Sequence, residues 1–227
     1  MLNVKSTMVD ELLNLIAPHY CCSCGEIGAI LCESCKYDII SEPLSGCLLC
    51  YKSLLVDRCT HCRSDIDRMW CGGERLGALE HLIDLYKFEY AQAAYKPLGD
   101  ILLATLPQLP PETIIIPIPT IRSHIRQRGY DHALLLAQHV ARSRQLTCKQ
   151  LVQRKTASVQ RDATRKQRIE QAKQAFSVKD QLQPDTPYLL IDDVATTGST
   201  LKYAAKTLKD AGATIVWAAA VARQPLD

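Results

Sequence analysis

Leu79, Leu82, Ile83 and Tyr86 fall at helical spacing, as do Leu98, Ile101, Leu102 and Thr105, and each set predicts an amphipathic helix. Thr113–Ile118 is instead a short β-branched run of the buried-strand type, which Pro117 and Pro119 end by removing ladder donors. Asp131 can cap a helix running to about Arg144, with Leu134, Leu135, Gln138 and Ala141 on successive turns. Leu189–Asp193 reads as a second buried strand. Ser199 or Thr200 is placed to cap the helix that follows, whose Leu201, Ala204, Ala205, Leu208 and Ala211 face one way. Gly212 stops it, and Thr214–Val221 is the next strand. Strands alternating with helices predict an α/β fold, a mostly parallel sheet with helices on both faces. The longest apolar runs, Thr113–Ile121 and Ala213–Ala222, fall short of the roughly 18–20 residues of a membrane span. Asp10 and Glu11 stand where a signal peptide has its apolar core, so a cytoplasmic protein with no membrane span is expected.

The segment before these elements has a different pattern. Of eleven cysteines in 227 residues, eight form four CxxC pairs: Cys21/Cys24, Cys32/Cys35, Cys47/Cys50 and Cys59/Cys62. Such loops aim two thiolates at one tetrahedral zinc, with a second pair closing the site. Disulfide frameworks use wider, irregular spacings, and thioredoxin-like redox pairs need an adjacent strand–helix pattern that is missing here. Sequential pairing is simplest: Cys21, Cys24, Cys32 and Cys35 around one Zn²⁺, and Cys47, Cys50, Cys59 and Cys62 around another. Cys22, Cys71 and His61 lie beside these positions rather than at ligand spacing, and read as bystanders. Two structural zinc ions would replace a core that so short a segment cannot build. The boundary falls near residue 66, with an N-terminal helix and double zinc module over 1–66 and an α/β domain over 67–227.

Charge divides the chain at a similar place. Residues 1–78 carry 7 Lys+Arg and 10 Asp+Glu, whereas the remainder carries 20 and 14. Arg122 to Arg168 holds twelve basic residues against Asp131 and Asp162. That excess exceeds an ordinary solvated face and implies phosphate-bearing ligands. Arg154, Lys155, Arg161, Arg165, Lys166 and Arg168 are the candidate nucleic-acid contacts.

The most informative stretch is Tyr188–Thr200, YLLIDDVATTGST. An apolar strand ends in two carboxylates, then a loop of small hydroxyl residues with one glycine enters a helix. Backbone N–H groups from Ala195 to Thr200 can enclose a phosphate, with hydroxyls of Thr196, Thr197, Ser199 and Thr200 as further donors. Gly198 lets the backbone approach closely. Asp192 and Asp193 would repel a phosphate, so they are expected to face sugar hydroxyls or a metal. The pattern describes a ribose 5-phosphate cradle.

YLLIDDVATTGST resembles the phosphoribosyl pyrophosphate (PRPP) signature of type I phosphoribosyltransferases, with Ala195 smaller than the usual aliphatic residue. Behind four CxxC pairs, it is similar to the ComF family of competence proteins. That family joins a double zinc ribbon to a type I phosphoribosyltransferase-like domain. LLNLIAPHYCCSCG looks like the family's lead-in; Lys87 and Phe88 match a lysine–aromatic pair ahead of the first helix; IPIPTIRSHIRQR over Ile116–Arg128 resembles its proline-containing strand end and arginine-rich loop. The family's RGFNQ reads RGYDH, with Asp131 and His132 replacing amides, and its basic hood departs at Thr156, Gln160 and Gln171. The resemblance implies PRPP bound with Mg²⁺ by Asp192, Asp193, Val194, Ala195, Thr196, Thr197, Gly198, Ser199 and Thr200, with Arg122, Arg126 and Arg128 on the pyrophosphate. Asp192, Asp193 and Arg128 are the expected catalytic residues, while His124 and His132 lie nearby without an assigned role. The family link implies DNA uptake and transformation, with single-stranded DNA and other uptake-machinery proteins as partners. A nucleobase phosphoribosyltransferase of salvage metabolism is the alternative.

Overall fold

The computed structural model describes residues 19–41, 44, 46–55, 57–62, 64–89, 91–154 and 176–225. The nucleic-acid candidates Lys155, Arg161, Arg165, Lys166 and Arg168 lie outside them, as do Thr156, Gln160 and Gln171.

The apolar runs form the strands of one parallel sheet. They are β1 (Arg68–Glu74), β2 (Ile114–Pro117), β3 (Thr147–Cys148), β6 (Pro187–Ala195) and β7 (Ile215–Arg223), in the spatial order β1-β7-β6-β2-β3. Between β3 and β6 the chain leaves the sheet in a separate antiparallel pair, β4 (Val152–Arg154) with β5 (Phe176–Val178). Strands β6 and β7 form the long central pair, with Leu189 opposite Trp217 and Ile191 opposite Ala219. Small side chains at Ala218, Ala219 and Ala220 leave room for helices to pack closely on both faces.

One face carries α2 (Gly77–Phe88), α3 (Tyr95–Thr105) and α5 (His132–Arg144). Leu82, Ile83, Leu98, Ile101, Leu102 and Leu136 pack there against Ile115, Leu189 and Val221. The other face carries α6 (Ser199–Asp210), whose Leu201, Ala204, Ala205 and Leu208 cover Ile114, Ile116, Leu190 and Ala218. The cysteine modules join both layers. The first, with α1 (Glu33–Ser41), packs on the α2 side, and the second packs on the α6 side through Cys47, Leu48 and Met69. Beside β1, the Met69 N–H donates to Asp57 O at 2.9 Å.

Some expectations shift locally. Helix α5 has the expected length, and Asp131 is its N-cap, accepting from Leu134 N–H. Its buried stripe, however, is His132, Ala133, Leu136, Ala137, Val140 and Ala141 rather than Leu134, Leu135 and Gln138. The period is right and the phase is off by one residue, about 100° of rotation. The arginine-rich loop contains a short helix, α4 (Arg122–Arg128), ended by Gly129 at φ 81°. Lys87 and Phe88 close α2 and precede α3, rather than standing ahead of the first helix. Neither Ser199 nor Thr200 caps α6. Gly198 holds the N-cap position at φ 65° and has no side chain to cap with, while Thr197 Oγ1 accepts the Ser199 N–H at 3.4 Å.

Candidate functional site

Chain direction fixes where a ligand can enter. From β2 the chain continues through α5 on one face to β3, whereas from β6 it continues through α6 on the other face to β7. Adjacent strands whose connections diverge leave a crevice at their C-terminal ends, where open α/β sheets bind ligands. Here that crevice separates the loop after Ala195 from the segment running from Pro117 into α4. A cavity of about 640 Å³ opens beside it, lined by Thr120, Arg122 and Arg126 on one wall and Gln153, Arg154 and Lys179 on the other. The cavity of about 560 Å³ around Trp70, Pro107 and Trp217 lies at the opposite, N-terminal end of the strands.

The two acids have different surroundings. Asp193 is buried, with Oδ1 2.8 Å from Lys87 Nζ and Oδ2 2.9 Å from His132 Nε2. Burial opposes its ionisation, but the Lys87 ammonium, with His132 beside it, outweighs this and holds Asp193 well below the usual carboxylate range. Side chains alternate along a strand, so Asp192 points to the other side of β6. It lacks a cation at contact distance among the described residues, and its Oδ1 accepts the Asp193 N–H at 2.9 Å. Burial, then the Asp193 charge, pushes Asp192 up to about 7. Asp193 therefore belongs to the frame of the site, and Asp192 is the carboxylate left for a ligand.

Arg128 extends that frame. Its Nη1 lies 2.9 Å from His132 Nδ1, and its guanidinium stands 5.8 Å over the exposed Phe88 ring. A guanidinium only donates, so Nδ1 accepts and the ring proton sits on Nε2, towards Asp193. Arg128, His132, Asp193 and Lys87 thus form one connected chain. Arg122 and Arg126 remain exposed. Asp131 accepts from Thr120 Oγ1 at 2.7 Å and Leu134 N–H at 3.1 Å. Both donors meet the same oxygen, Oδ1, and neither carries a charge.

The start of α6 has no N-cap side chain, so beyond the long Ser199 N–H bond to Thr197 Oγ1 its first N–H groups are available to an anion. Thr197 Oγ1 donates to Ser199 Oγ at 2.9 Å, and the Thr196, Thr197 and Ser199 side chains are exposed. Gly198 is required twice over. Its φ of 65° is the left-handed region, and a Cβ there would lie 2.6 Å from Leu48 O, with Leu49 closer still. Gly198→Ala is expected to destabilise the protein by about 1–2 kcal/mol from the backbone conformation alone. Chemical denaturation checks this, and wild-type stability in that variant would contradict the packing.

Both cysteine sets converge. The ligand atoms of Cys21, Cys24, Cys32 and Cys35 all lie within 4.8 Å of one another, as do those of Cys47, Cys50, Cys59 and Cys62. Neighbouring Sγ atoms are separated by 3.4–3.6 Å. Tetrahedral zinc with bonds of about 2.3 Å requires sulfurs about 3.8 Å apart, so both donor sets fit the ion. Backbone N–H groups of Cys32 and Cys62 reach Cys21 Sγ and Cys59 Sγ at 3.4 Å. Burial resists ionisation of Cys21 and Cys59, but such N–H donors outweigh it and lower both to about 6. Cys22 Sγ faces Ala78 O, and Cys71 is buried in β1 with Sγ 3.2 Å from Gly73 O.

No family model matches the chain. Over 198 residues, however, it is 30% identical to Competence protein F of Haemophilus influenzae, spanning 80% of this chain and 85% of that protein. The chain belongs to the competence protein F family. The shared span is too long to come from the cysteine modules or the α/β domain alone. Within this competence protein F relative, Tyr188–Thr200 and the eight clustered cysteines are the positions whose chemistry is most defined by the fold. The sequence missed the role of His132, which becomes visible only when α5 is laid beside β6.

Proposed function

We propose that this chain binds PRPP with Mg²⁺ in the crevice between β2 and β6, binds single-stranded DNA through its basic segment from Arg154 to Arg168, and serves DNA uptake in transformation. The observation that carries the reading is the α6 loop without an N-cap side chain, flanked by Asp192 and opposed by the exposed Arg122 and Arg126 at the point where the connections diverge. The loop from Val194 to Thr200 receives the 5-phosphate through backbone N–H and hydroxyl groups. Asp192 receives ribose hydroxyls, and Arg122 and Arg126 receive the pyrophosphate. Arg128 and Asp193, the other two catalytic candidates, keep the crevice in shape through His132. Mg²⁺ arriving with PRPP would offset pyrophosphate charge. Zn²⁺ is the natural ion for the two four-cysteine sets, since it closes small modules that lack a large core. Thiolate clusters suit a reducing compartment, and the cytoplasm is that compartment. No described helix is long and apolar enough to cross a membrane.

One observation favours the salvage-enzyme alternative. Phe88 is exposed beside Lys87, which reaches Asp193, so a planar surface borders the acids. A screen of nucleobases for pyrophosphate release from PRPP separates the readings, because a binding protein releases none.

Calorimetric titration with PRPP and Mg²⁺ tests the crevice. Fluorescence anisotropy across a salt series tests the basic segment. DNA affinity should fall steeply with salt, since each phosphate contact on a single strand releases about 0.7 counterion. Arg161→Ala, Arg165→Ala and Lys166→Ala together should flatten that slope while PRPP affinity changes less. Salt-insensitive binding, or none at low salt, removes DNA from the proposal.

A further inference from the structure

The two four-cysteine modules share one turn, and the residue that closes it differs between them. In the first, Gly25 follows Cys24 at φ 78°, and its N–H donates to Cys21 O at 2.9 Å. In the second, Tyr51 follows Cys50 at φ 65°, and its N–H donates to Cys47 O at 3.0 Å. The turn wants glycine, since a left-handed backbone costs an ordinary side chain stability. A bulky residue held at such an angle points to a task for its side chain.

That side chain reaches the cradle. Tyr51 Oη donates to Thr196 O at 2.7 Å, and its ring stacks on the Arg223 guanidinium at 4.3 Å. Arg223 is itself buried and fixed, donating to Glu74 Oε1 at 2.8 Å and to Cys47 O at 3.4 Å. In a planar trans peptide the carbonyl and the next N–H point opposite ways. Holding Thr196 O towards the second module therefore turns the Thr197 N–H away from it, to the side where the crevice lies. The same module presses on Gly198 through Leu48 and Leu49.

We infer that Tyr51 is a positioning residue through which the second four-cysteine module sets the phosphate loop for ligand. The inference rests on the PRPP reading above and deepens it: affinity for the 5-phosphate depends on the module's metal-held turn, and affinity for pyrophosphate does not. Tyr51→Phe removes the hydroxyl while keeping the ring on Arg223. Tyr51→Gly restores the residue that the first module uses and relieves the backbone.

The experiment is calorimetric titration of the full chain with PRPP, ribose 5-phosphate and inorganic pyrophosphate, alongside zinc content and thermal unfolding. Loss of one hydrogen bond to the loop should weaken ribose 5-phosphate and PRPP by roughly threefold to tenfold in Tyr51→Phe. Pyrophosphate affinity, zinc content and melting temperature should stay at wild-type values. Tyr51→Gly should lose ribose 5-phosphate affinity at least as far while retaining two zinc ions. Wild-type ribose 5-phosphate affinity in Tyr51→Phe overturns the inference, and so does an equal loss for pyrophosphate, which would signal general damage. If the unsubstituted chain binds neither PRPP nor ribose 5-phosphate, the functional reading itself falls.

Discussion

Asp193→Asn is expected to cost about 3 kcal/mol of folding stability at pH 7, the low end for removing one partner of a buried ion pair. Asp192→Asn is expected to do the reverse and stabilise. Asp193 meets Lys87 and His132 in a buried setting, so deleting its charge leaves Lys87 without its partner. Its lowered pKa contributes stability that is present above the ordinary carboxylate range and disappears as pH falls through the depressed value. Asp192 is raised, to about 7, so its ionisation weakens the fold. That cost is absent below roughly pH 4, where the carboxyl is protonated folded or unfolded, and is complete above its raised value. Denaturation at pH 5 and pH 8 should show the Asp192→Asn gain growing with pH, while Asp193→Asn stays destabilised at both. Equal behaviour of the two variants would refute the assignment. Since Asp193 supports the frame, a test of ligand contact belongs to Asp192 alone. The sequence treats the acids as equivalent and free of the core, which the structure does not.

The second large effect concerns metal. Purified protein should carry about two Zn²⁺ per chain by elemental analysis, because each four-cysteine set is complete. Binding free energy at such sites is folding free energy, on the order of 10 kcal/mol each, so a strong chelator should unfold the modules. Cys24→Ser should lose one ion. Cys22→Ser, Cys71→Ser and Cys148→Ser should keep both, since those thiols lie outside the clusters. A single zinc per chain, or an ion lost with Cys22→Ser, would break the proposed sets.

Legibility follows the range of the contacts. Helices α2, α3 and α6 could be read because their buried residues repeat every three or four positions. The four cysteine pairs could be read because their spacing is local. Strand β1 could not: MWCGGE has no alternation, being buried on both faces, and two glycines disguise it. Gly72 is needed because a side chain there would strike Val221 O and Ile101. The Lys87–Asp193–His132 cluster joins three elements far apart in sequence, and no spacing encodes it. The α5 stripe slipped by one position because half-buried Leu134 and Leu135 score as core on hydrophobicity alone.

Among the described residues strand β1 ends the sheet, with β7 as its ladder partner. Five of its seven residues are nonetheless buried, because α3 and the first cysteine module cover one face, the second module covers the other, and Asp57 takes up the Met69 N–H. An exposed flat edge of this kind is a template on which another chain can add a strand. The modules therefore act as an edge guard as well as a neighbour of the crevice. Stripping their metal should then do more than loosen a small appendage: it should leave an α/β domain that self-associates through β1, so the apo protein is expected to be lost to aggregation rather than to persist as a soluble monomer.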